Sequence, residues 1–349
     1  MRAITVVPGR KGSIAVTDVE EPDPSYGSVL VDGVALGICG TDTEIADGVY
    51  GEAPGGSDRL VLGHESLGRV REAPEGSGLA AGDLVIGIVR RPDPLPCSCC
   101  GRGEWDMCRN GEYTERGIKG LHGYGAQRWR IEPEFAVAVD STLGLAAVLM
   151  EPTSIVAKAW SHIDVIASRA CTEGRTVLVT GAGPIGLLAA MMGVQRGLEV
   201  HVLDHHESGP KPRLVESLGA TYHWEGMSKV PEADLLIEAT GVPRLVLEAM
   251  EHGRQDGIVC LTGVSPVGNQ LGVDIGRLGR RIVLGNQVVF GTVNANRDHY
   301  GQAAEALAAA DRGWLDGIIT RRVPLEQAPE ALHREPDDVK VVVDLSSSG

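Results

Sequence analysis

Short apolar runs alternate with stretches rich in glycine and proline through residues 1–150. Runs of this length, bounded by turn-forming residues, are typical of β-strands joined by loops. We therefore predict a loop-rich β domain over residues 1–150, with strands in AITVV, SVLVDGVAL, LGRVREA, DLVIGIV and RWRIEPEFAVAV.

The pattern changes over residues 151–296, where apolar runs of strand length take turns with helical stretches. This alternation predicts a doubly wound, mostly parallel sheet. The uncharged stretch Thr176–Val194 is long enough to cross a bilayer, but its glycines and proline indicate a strand, a turn and a helix. The predicted strands are TVLVT, EVHVLD, ADLLIEAT, GIVCLTG and IVLGNQVVFGTV, and the predicted helices are TSIVAKAWSHIDVIAS, GLLAAMMGVQRG, KPRLVESLG and VLEAMEHG.

The tail, residues 297–349, contains an alanine-rich helical stretch, a second short helix near PEALHR and a strand, VKVVVDLS. We expect this tail to return to the first domain, so that the β domain is discontinuous in sequence. The predicted class is α/β, with a β domain in two segments and a dinucleotide-binding domain between them.

Charge and cysteine content reduce the number of function classes that fit the sequence. The 349 residues carry 32 Lys and Arg against 47 Asp and Glu, a net charge of −15, which disfavours nucleic acid and anionic membranes as partners. The N-terminal residues show no signal peptide, which predicts a cytoplasmic protein. Four of the seven cysteines lie between Cys97 and Cys108, and in a reducing compartment such a cluster favours a metal over disulfides.

The segment GAGPIG, from Gly181 to Gly186, follows a predicted strand and opens a predicted helix. In this context Gly-x-Gly-x-x-Gly is a dinucleotide-binding motif: Gly181 allows the tight turn, Gly183 lets a pyrophosphate approach the backbone, and Gly186 lets the helix pack on the strand. Free N–H groups at the helix N-terminus then face the phosphates. The segment therefore predicts a coenzyme site.

Asp204 ends the next predicted strand, EVHVLD, where an acid accepts hydrogen bonds from the adenosine ribose. An acid there repels a 2′-phosphate, so the sequence favours NAD. NADP stays possible because four basic residues follow: His205, His206, Lys211 and Arg213.

A catalytic zinc needs about three thiolate, imidazole or carboxylate ligands and an open position. Cys39 and His64, on loops of the first domain, supply two. The third is Glu65, next to His64, or Glu151, where the β domain gives way to the sheet domain. A single cysteine or a single His-Glu pair is usually an ordinary structural residue. In combination with a dinucleotide motif, however, Cys39 and the His64-Glu65 pair predict a catalytic metal.

These motifs resemble a known family in order and spacing. CGTD, GHESLG, GDLVIG, GAGPIG and EATG are similar to the zinc-dependent medium-chain alcohol dehydrogenase superfamily over essentially the whole chain. Within it, RRPDP, GEWDMCRNGEYTERGIKGLHGY and VVFGTVNANRDHY resemble the glucose (aldose) 1-dehydrogenase branch.

The resemblance implies a chaperonin-10-like distorted β-barrel catalytic domain, a Rossmann coenzyme domain and a homotetramer or homodimer. It implies zinc- and NAD(P)-dependent oxidation of a sugar hydroxyl, most simply D-glucose at C1 to the aldonolactone. A polyol, cyclitol or amino-cyclitol dehydrogenase is the alternative. A catalytically silent dinucleotide-binding protein is disfavoured because Cys39, Thr41 and His64 are all present.

Residue roles follow from the same resemblance. Cys39 and His64 are expected zinc ligands. Glu65 and Glu151 are expected either to exchange as the third ligand or to lie just outside the ligands. Thr41 is expected to bind the substrate oxygen and start a proton relay, whose outer end carries Glu44 where many relatives have histidine. Expected sugar contacts are Glu115, Glu151, Asn294 and Asn296, with Arg90 and Arg91 as either further contacts or loop salt bridges; expected coenzyme contacts are Gly181, Gly183, Pro184, Ile185, Gly186, Asp204, His205, Thr240, Gly263 and Asn294.

A second zinc in this superfamily is structural and held by the spacing C-x2-C-x2-C-x7-C. This chain matches the last three positions with Cys97, Cys100 and Cys108, but Pro94 stands at the first. Proline cannot ligate zinc, so either Cys99 or Asp93 completes the set, or the lobe is metal-free and packed around Trp105. Outside the cluster, Cys171 and Cys260 are expected to be buried thiols.

Overall fold

The computed structural model describes residues 1–170, 174–268 and 271–346. The chain separates into two compact units: one combines Met1–Ser154 with Asn294–Gly349, and the other is Ile155–Val293. The predicted buried thiol Cys171 lies outside the described residues, whereas Cys260 is fully buried.

The strands and α-helices are numbered in chain order. The strands are β1 Arg2–Val6, β2 Ala15–Asp18, β3 Val29–Ile38, β4 Leu60–Val61, β5 Glu65–Glu72, β6 Leu84–Gly87, β7 Arg90–Arg91, β8 Thr114–Arg116, β9 Gly120–Leu121, β10 Arg128–Ile131, β11 Ala136–Ala138, β12 Thr176–Thr180, β13 Glu199–Leu203, β14 Thr221–His223, β15 Leu235–Glu238, β16 Ile258–Leu261, β17 Val288–Gly291, β18 Ile319–Pro324 and β19 Lys340–Asp344. The α-helices are α1 Gly40–Ala46, α2 Met150–Ala167, α3 Pro184–Gln195, α4 Pro210–Ser217, α5 Pro243–His252, α6 Ile275–Leu284, α7 Arg297–Ala308, α8 Arg312–Ile318 and α9 Ala328–Ala331.

The main sheet of the first unit is built around β3, which pairs antiparallel with β5, β10 and β19. Buried and half-buried residues alternate along much of β3, as expected for a strand with one face on a core. The pairing of β19 with β3 places Lys340, at the start of β19, beside the end of β3. The tail of the chain is therefore part of this sheet.

The second unit contains a parallel sheet in the order β14-β13-β12-β15-β16-β17 among the described residues. This is the strand order of a Rossmann fold, in which ligands bind beyond the carboxyl ends of the strands where the order reverses. Every residue of β12, TVLVT, is buried, as a central parallel strand requires. The predicted α/β class, a β domain with a Rossmann domain, is confirmed.

Two predicted strands are wrong in their bounds. The run IVLGNQVVFGTV is not one strand: its first three residues end α6, and β17 begins only at Val288. Asn286, with a φ of 48°, makes the turn between them, so apolar residues of an amphipathic helix were mistaken for strand. The run RWRIEPEFAVAV is divided by a 3₁₀ turn at Pro133–Phe135, because proline starts such a turn and interrupts the strand.

The helical stretch Ser141–Ala167 is, by length and composition, the one among the described residues that could cross a membrane. Of its most apolar window, 78% is buried inside the protein, as in the core helix of a globular fold. Thr176–Val194 forms β12 and most of α3, as predicted from its glycines and proline.

Candidate active site and coenzyme site

Cys39, His64 and Glu65 come together in the first unit, with one ligand atom from each lying within 4.8 Å of the others. Cys39 follows β3 and precedes α1, while His64 immediately precedes β5 and Glu65 begins it. The Cys39 sulfur lies 3.0 Å from Nε2 of His64. A thiolate, an imidazole and a carboxylate in one group fit zinc with three protein ligands and an open fourth position.

Asp42 holds both Cys39 and His64. Its Oδ2 accepts a hydrogen bond of 3.0 Å from the backbone N–H of Cys39, and its Oδ1 lies 3.4 Å from Nδ1 of His64. Burial alone lowers the pKa of His64, but the Cys39 sulfur and the Asp42 carboxylate outweigh burial and raise it well above its ordinary value. Asp42 therefore orients the imidazole so that Nε2 faces the group, the usual role of a carboxylate behind a metal-binding histidine.

Glu65 and Glu151 differ in their surroundings. Lys340 donates a hydrogen bond to Oε2 of Glu65 and another, of 3.1 Å, to the carbonyl of Ile38. Glu151, on α2, is buried and lies outside the 4.8 Å group. Burial raises its pKa to about 7, with His64 acting in the opposite direction and Glu65 adding to the rise.

Thr41 and Glu44 both lie on α1, directly after Cys39. Thr41 is half-buried and Glu44 is exposed. This order along one short helix, from the metal group to solvent, is the order that a proton relay needs.

Glu115, on β8, is the centre of a second buried polar cluster. Its Oε1 accepts hydrogen bonds from Nε and one terminal nitrogen of Arg90, at 3.1 and 3.0 Å, and from Nδ2 of Asn294, at 2.7 Å. The Arg90 guanidinium also lies 3.7 Å from the centre of the Tyr113 ring. Both partners of the Arg90–Glu115 pair are buried, so the pair is held rigidly.

The chain segment after Glu115 packs against the residue that precedes His64. A Cβ on Gly117 would lie 2.5 Å from the carbonyl oxygen of Gly63, and the N–H of Tyr124 donates to that oxygen at 2.9 Å. The segment that follows Glu115 and the residue before His64 are therefore in contact within the first unit.

Two predicted sugar contacts have other partners. Asn296 caps the N-terminus of α7, and its side chain accepts hydrogen bonds from the backbone N–H groups of Asp298 and His299. Arg91 forms a salt bridge of 2.9 Å with Glu132, which is the loop interaction that the sequence left open. Neither residue is brought into the Glu115 cluster.

In the cysteine lobe, the segment Cys97–Cys108, the sulfurs of three cysteines lie close together and that of the fourth does not. Cys97, Cys100 and Cys108 lie within 4.8 Å of one another, and Cys99 is not in that group. The backbone N–H groups of Cys100 and Arg109 each lie 3.5 Å from the Cys97 sulfur, and such bonds lower its pKa to about 6. Burial raises the pKa of Cys100 to about 11.

The glycine motif of the second unit connects β12 to α3 as predicted. Gly181 has a φ of 93°, and a Cβ on Gly186 would lie 1.7 Å from the carbonyl oxygen of Gly181. A Cβ on Gly183 would meet no heavy atom within 4 Å among the described residues. Pro184 and Ile185 form the first turn of α3, so the half-buried helix N-terminus presents backbone donors.

Both oxygens of the Asp204 carboxylate already have protein partners. Oδ2 accepts from the N–H of Ala182 at 2.7 Å and lies 3.3 Å from Lys211 Nζ, while Oδ1 lies 2.6 Å from Nδ1 of His206 and accepts from the N–H of His205 at 2.8 Å. Burial alone raises the pKa of Asp204, but the bonds from His206 and Ala182 and the charge of Lys211 lower it to about 2. Only 6% of the Asp204 side chain is exposed, whereas His205 is 84% exposed.

Thr240 and Gly263 lie at the carboxyl ends of β15 and β16, next to the glycine motif. A Cβ on Gly181 would lie 2.8 Å from Cγ2 of Thr240, and one on Gly263 would lie 2.1 Å from the nitrogen of Gly241. Glu238, which is fully buried, accepts hydrogen bonds from Thr240 and Gly241 and so fixes this turn. Asn294 belongs to the first unit, where its side chain donates to Glu115, and its predicted contact with the coenzyme stays a prediction.

Sequence reasoning missed three residues that organise these sites: Asp42, Lys340 and Glu238. Asp42 stands inside the CGTD motif, three residues after Cys39, so a search for a partner to His64 could have found it. Glu238 likewise stands inside EATG. Lys340 carries no local signal, because only the pairing of β19 with β3 brings it to Glu65.

Comparison with known proteins identifies the family. Residues 25–141 match the alcohol dehydrogenase GroES-like domain, and residues 144–345 match the glucose dehydrogenase C-terminus. Glucose 1-dehydrogenase of Methanocella arvoryzae is 40% identical over 99% of this chain and 100% of that protein, and the enzyme of Thermoproteus tenax is 39% identical with the same coverage. The solved structure of Haloferax mediterranei glucose dehydrogenase in complex with NADP, Zn and gluconolactone is 30% identical, with a TM-score of 0.91 and all of both chains covered.

The matched regions include every motif on which the resemblance was based, and the predicted family is confirmed. The chain belongs to the glucose 1-dehydrogenase branch of the zinc-dependent medium-chain alcohol dehydrogenases, a family of NAD(P)-dependent oxidoreductases.

Proposed function

We propose that this protein oxidises D-glucose at C1 to the lactone, with a zinc ion at the Cys39–His64 group and NAD(P) on the glycine motif. One observation carries the proposal: the segment that follows Glu115 packs against Gly63, so a buried polar cluster and a three-ligand metal group lie on adjoining segments. The relative from Haloferax mediterranei was solved with NADP, Zn and gluconolactone, which is the product expected of this reaction.

When bound, zinc supplies a Lewis acid and the nicotinamide ring supplies a hydride acceptor. The residues of the chain hold and move the proton. Thr41, two residues after Cys39, accepts the hydrogen bond of the reacting hydroxyl and passes its proton outward along α1 toward exposed Glu44. Asp42 keeps His64 oriented throughout.

Sugar recognition falls to Glu115. Arg90 and Asn294 occupy one of its oxygens, so Oε2 is the oxygen that we assign to the sugar hydroxyls. A site built to bind hydroxyls discriminates against substrates that lack them, because the buried polar groups then lose their partners. Glu151 is a second acceptor beside the metal group, whether as third ligand or as sugar contact.

We propose that the coenzyme site accepts NADP as well as NAD. Asp204 favours NAD, but its carboxylate is held by hydrogen bonds from Ala182, His205, His206 and Lys211, and Lys211 balances its charge. Lys211, whose side chain is 12% exposed, supplies a positive charge, and exposed His205 supplies a ring nitrogen for a 2′-phosphate. Replacing Lys211 with Ala should raise the KM for NADP more than the KM for NAD; an equal rise in both would contradict this assignment.

The protein is further proposed to be a cytoplasmic homotetramer or homodimer. The described cysteines are all free thiols, as a reducing compartment maintains them.

Ile275, Val283 and Leu284, on α6, are 73%, 73% and 63% exposed, which favours a covered surface in an assembly. Light scattering during gel filtration measures the subunit number, and a monomer at micromolar concentration would contradict the proposal.

The test of the proposed activity is a substrate panel of aldoses, polyols and cyclitols, followed by NAD(P)H absorbance. We expect D-glucose to have the highest kcat/KM and Glu115→Gln to raise the KM for glucose with little change in the KM for NAD(P). Asp298→Asn, at the exposed start of α7, is the matched control. A polyol or cyclitol preferred over every aldose would overturn the substrate and leave the enzyme class intact.

A further inference from the structure

The cysteine lobe supplies three of the four protein ligands that a structural zinc requires. Pro94 stands where the family spacing calls for the first cysteine, and its side chain has no donor atom. We propose that Asp93 is the fourth ligand, so that the lobe binds zinc through three thiolates and one carboxylate.

The buried carboxylate of Asp93 is the observation behind this proposal. Asp93 is 3% exposed, and its Oδ1 accepts a hydrogen bond of 2.8 Å from the N–H of Leu95. Its Oδ2 is buried and has no hydrogen-bond partner among the residues that the structure describes. A buried carboxylate oxygen with no partner is costly, and a divalent cation next to it removes that cost.

Asp93 is also adjacent to the three sulfurs. The backbone of Asp93 adjoins the Cys100 thiol, which places the residue at the edge of the group. The backbone N–H groups of Cys100 and Arg109 each lie 3.5 Å from the Cys97 sulfur and hold it in place. The site therefore combines negative charge with a rigid backbone.

The spacing of the sulfurs suits zinc, whereas the Asp93 carboxylate has to move. The sulfurs lie within 4.8 Å of one another, and Zn–S bonds of ~2.3 Å in a tetrahedron place sulfurs ~3.8 Å apart. The Asp93 carboxylate does not lie within 4.8 Å of all three sulfurs, so its side chain must rotate to reach the ion. We expect this rotation when the lobe binds the metal.

Cys99 is the competing ligand, and its surroundings disfavour it. It precedes the 3₁₀ turn Cys100–Arg102, and its carbonyl accepts hydrogen bonds from the N–H groups of Arg102 and Glu104. These bonds hold its backbone while its sulfur stays outside the group of three. Cys99→Ser is therefore the matched control for Asp93→Asn.

The first test is zinc content per chain of the purified full-length protein. We expect about two zinc ions in the native protein and in Cys99→Ser, and about one in Asp93→Asn, with the circular dichroism spectrum and the catalytic zinc retained. Asn preserves the bond to Leu95 and removes the charge. Two zinc ions in Asp93→Asn, one in Cys99→Ser, or one in the native protein would each overturn the proposal.

The second test reads the ligands directly and does not depend on activity. In a Cys39→Ser background, which removes the thiolate of the catalytic group, cobalt in the lobe should give thiolate charge-transfer absorption from three sulfurs. Asp93→Cys should raise that absorption by about one third, since it adds a fourth thiolate. No change in absorption would mean that residue 93 does not contact the metal. Neither result bears on glucose oxidation, so the proposed function is tested separately.

Discussion

The metal group of the first unit and the glycine motif of the second unit depend on different kinds of interaction. The metal group depends on buried charged side chains, each held by another charge: His64 by Asp42, and Glu65 by Lys340. The glycine motif depends on backbone shape, and its side-chain contributions are small. The difference implies that substitutions in the first group change chemistry and stability together, whereas those in the second separate folding from coenzyme binding.

The largest effect is expected from His64→Ala. Loss of an imidazole ligand should reduce kcat below detection, because the metal group is left with two protein ligands. Binding of NADH, measured by fluorescence titration, should be unchanged because the glycine motif belongs to the other unit. Retained turnover would show that His64 is not a ligand.

Lys340→Met should come next. It leaves the buried carboxylate of Glu65 without its counter-ion, which costs about 3–5 kcal/mol of unfolding free energy. Urea denaturation measures this loss. The double variant Lys340→Met with Glu65→Gln should recover much of it, because both charges are then gone; equal instability of the single and double variants would contradict the charge argument.

Asp42→Asn should weaken zinc binding by about 10–100-fold, since it removes the carboxylate that orients His64. Competition with a chelator measures the affinity. Asp47→Asn, at the exposed end of the same helix, is the control and should have no effect. Equal affinities in all three proteins would mean that His64 keeps its orientation without Asp42.

Two glycine substitutions sharpen the contrast in the second unit. Gly186→Ala places a methyl group 1.7 Å from a carbonyl oxygen and should destabilise the unit by about 1–3 kcal/mol or more. Gly183→Ala meets no neighbour within 4 Å, so the protein should melt normally but show a raised KM for the coenzyme. Thermal denaturation measures the effect on stability, and steady-state kinetics measure the effect on coenzyme binding. A normal coenzyme KM in Gly183→Ala would contradict the placement of Gly183 at the pyrophosphate.

The smallest effect is the pH dependence contributed by Asp204. Its pKa is lowered to about 2 in the folded protein, against an ordinary value of 3.8. A lowered carboxyl pKa stabilises the fold above pH 3.8, and the contribution is lost as the pH falls toward 2. Between pH 5 and 3, Asp204→Asn should therefore lose less stability than the native protein; parallel stability curves would contradict this.

Sequence reasoning succeeded where the information is local. The motif GAGPIG, the apolar strand before it and the helix after it lie within twenty residues, and their structure follows from glycine geometry and periodicity. The cysteine lobe is equally local, and its spacing predicted three of the grouped sulfurs. The spacing did not reveal that Cys99 lies outside the group, because that depends on the direction of its side chain.

Sequence reasoning was incomplete where distant segments meet. The sequence predicts Asn294 as a contact of both coenzyme and sugar, but it does not predict that the Asn294 side chain binds Glu115, 179 residues away. Asn296 follows the same strand and caps α7 instead, so two similar asparagines in one motif have different roles. Periodicity does not report such long-range partners, and the roles proposed for the individual site residues stay predictions until the substitutions are made.

The pairing of Lys340 with Glu65 joins residues 275 positions apart. During synthesis the residues of the metal group leave the ribosome long before their counter-ion does. A nascent chain that ends before residue 340 would have to bury the Glu65 carboxylate alone, so the metal pocket is expected to stay open to water until β19 docks. We therefore expect catalytic competence only after β19 has docked, and fragments truncated before β19 should lack it.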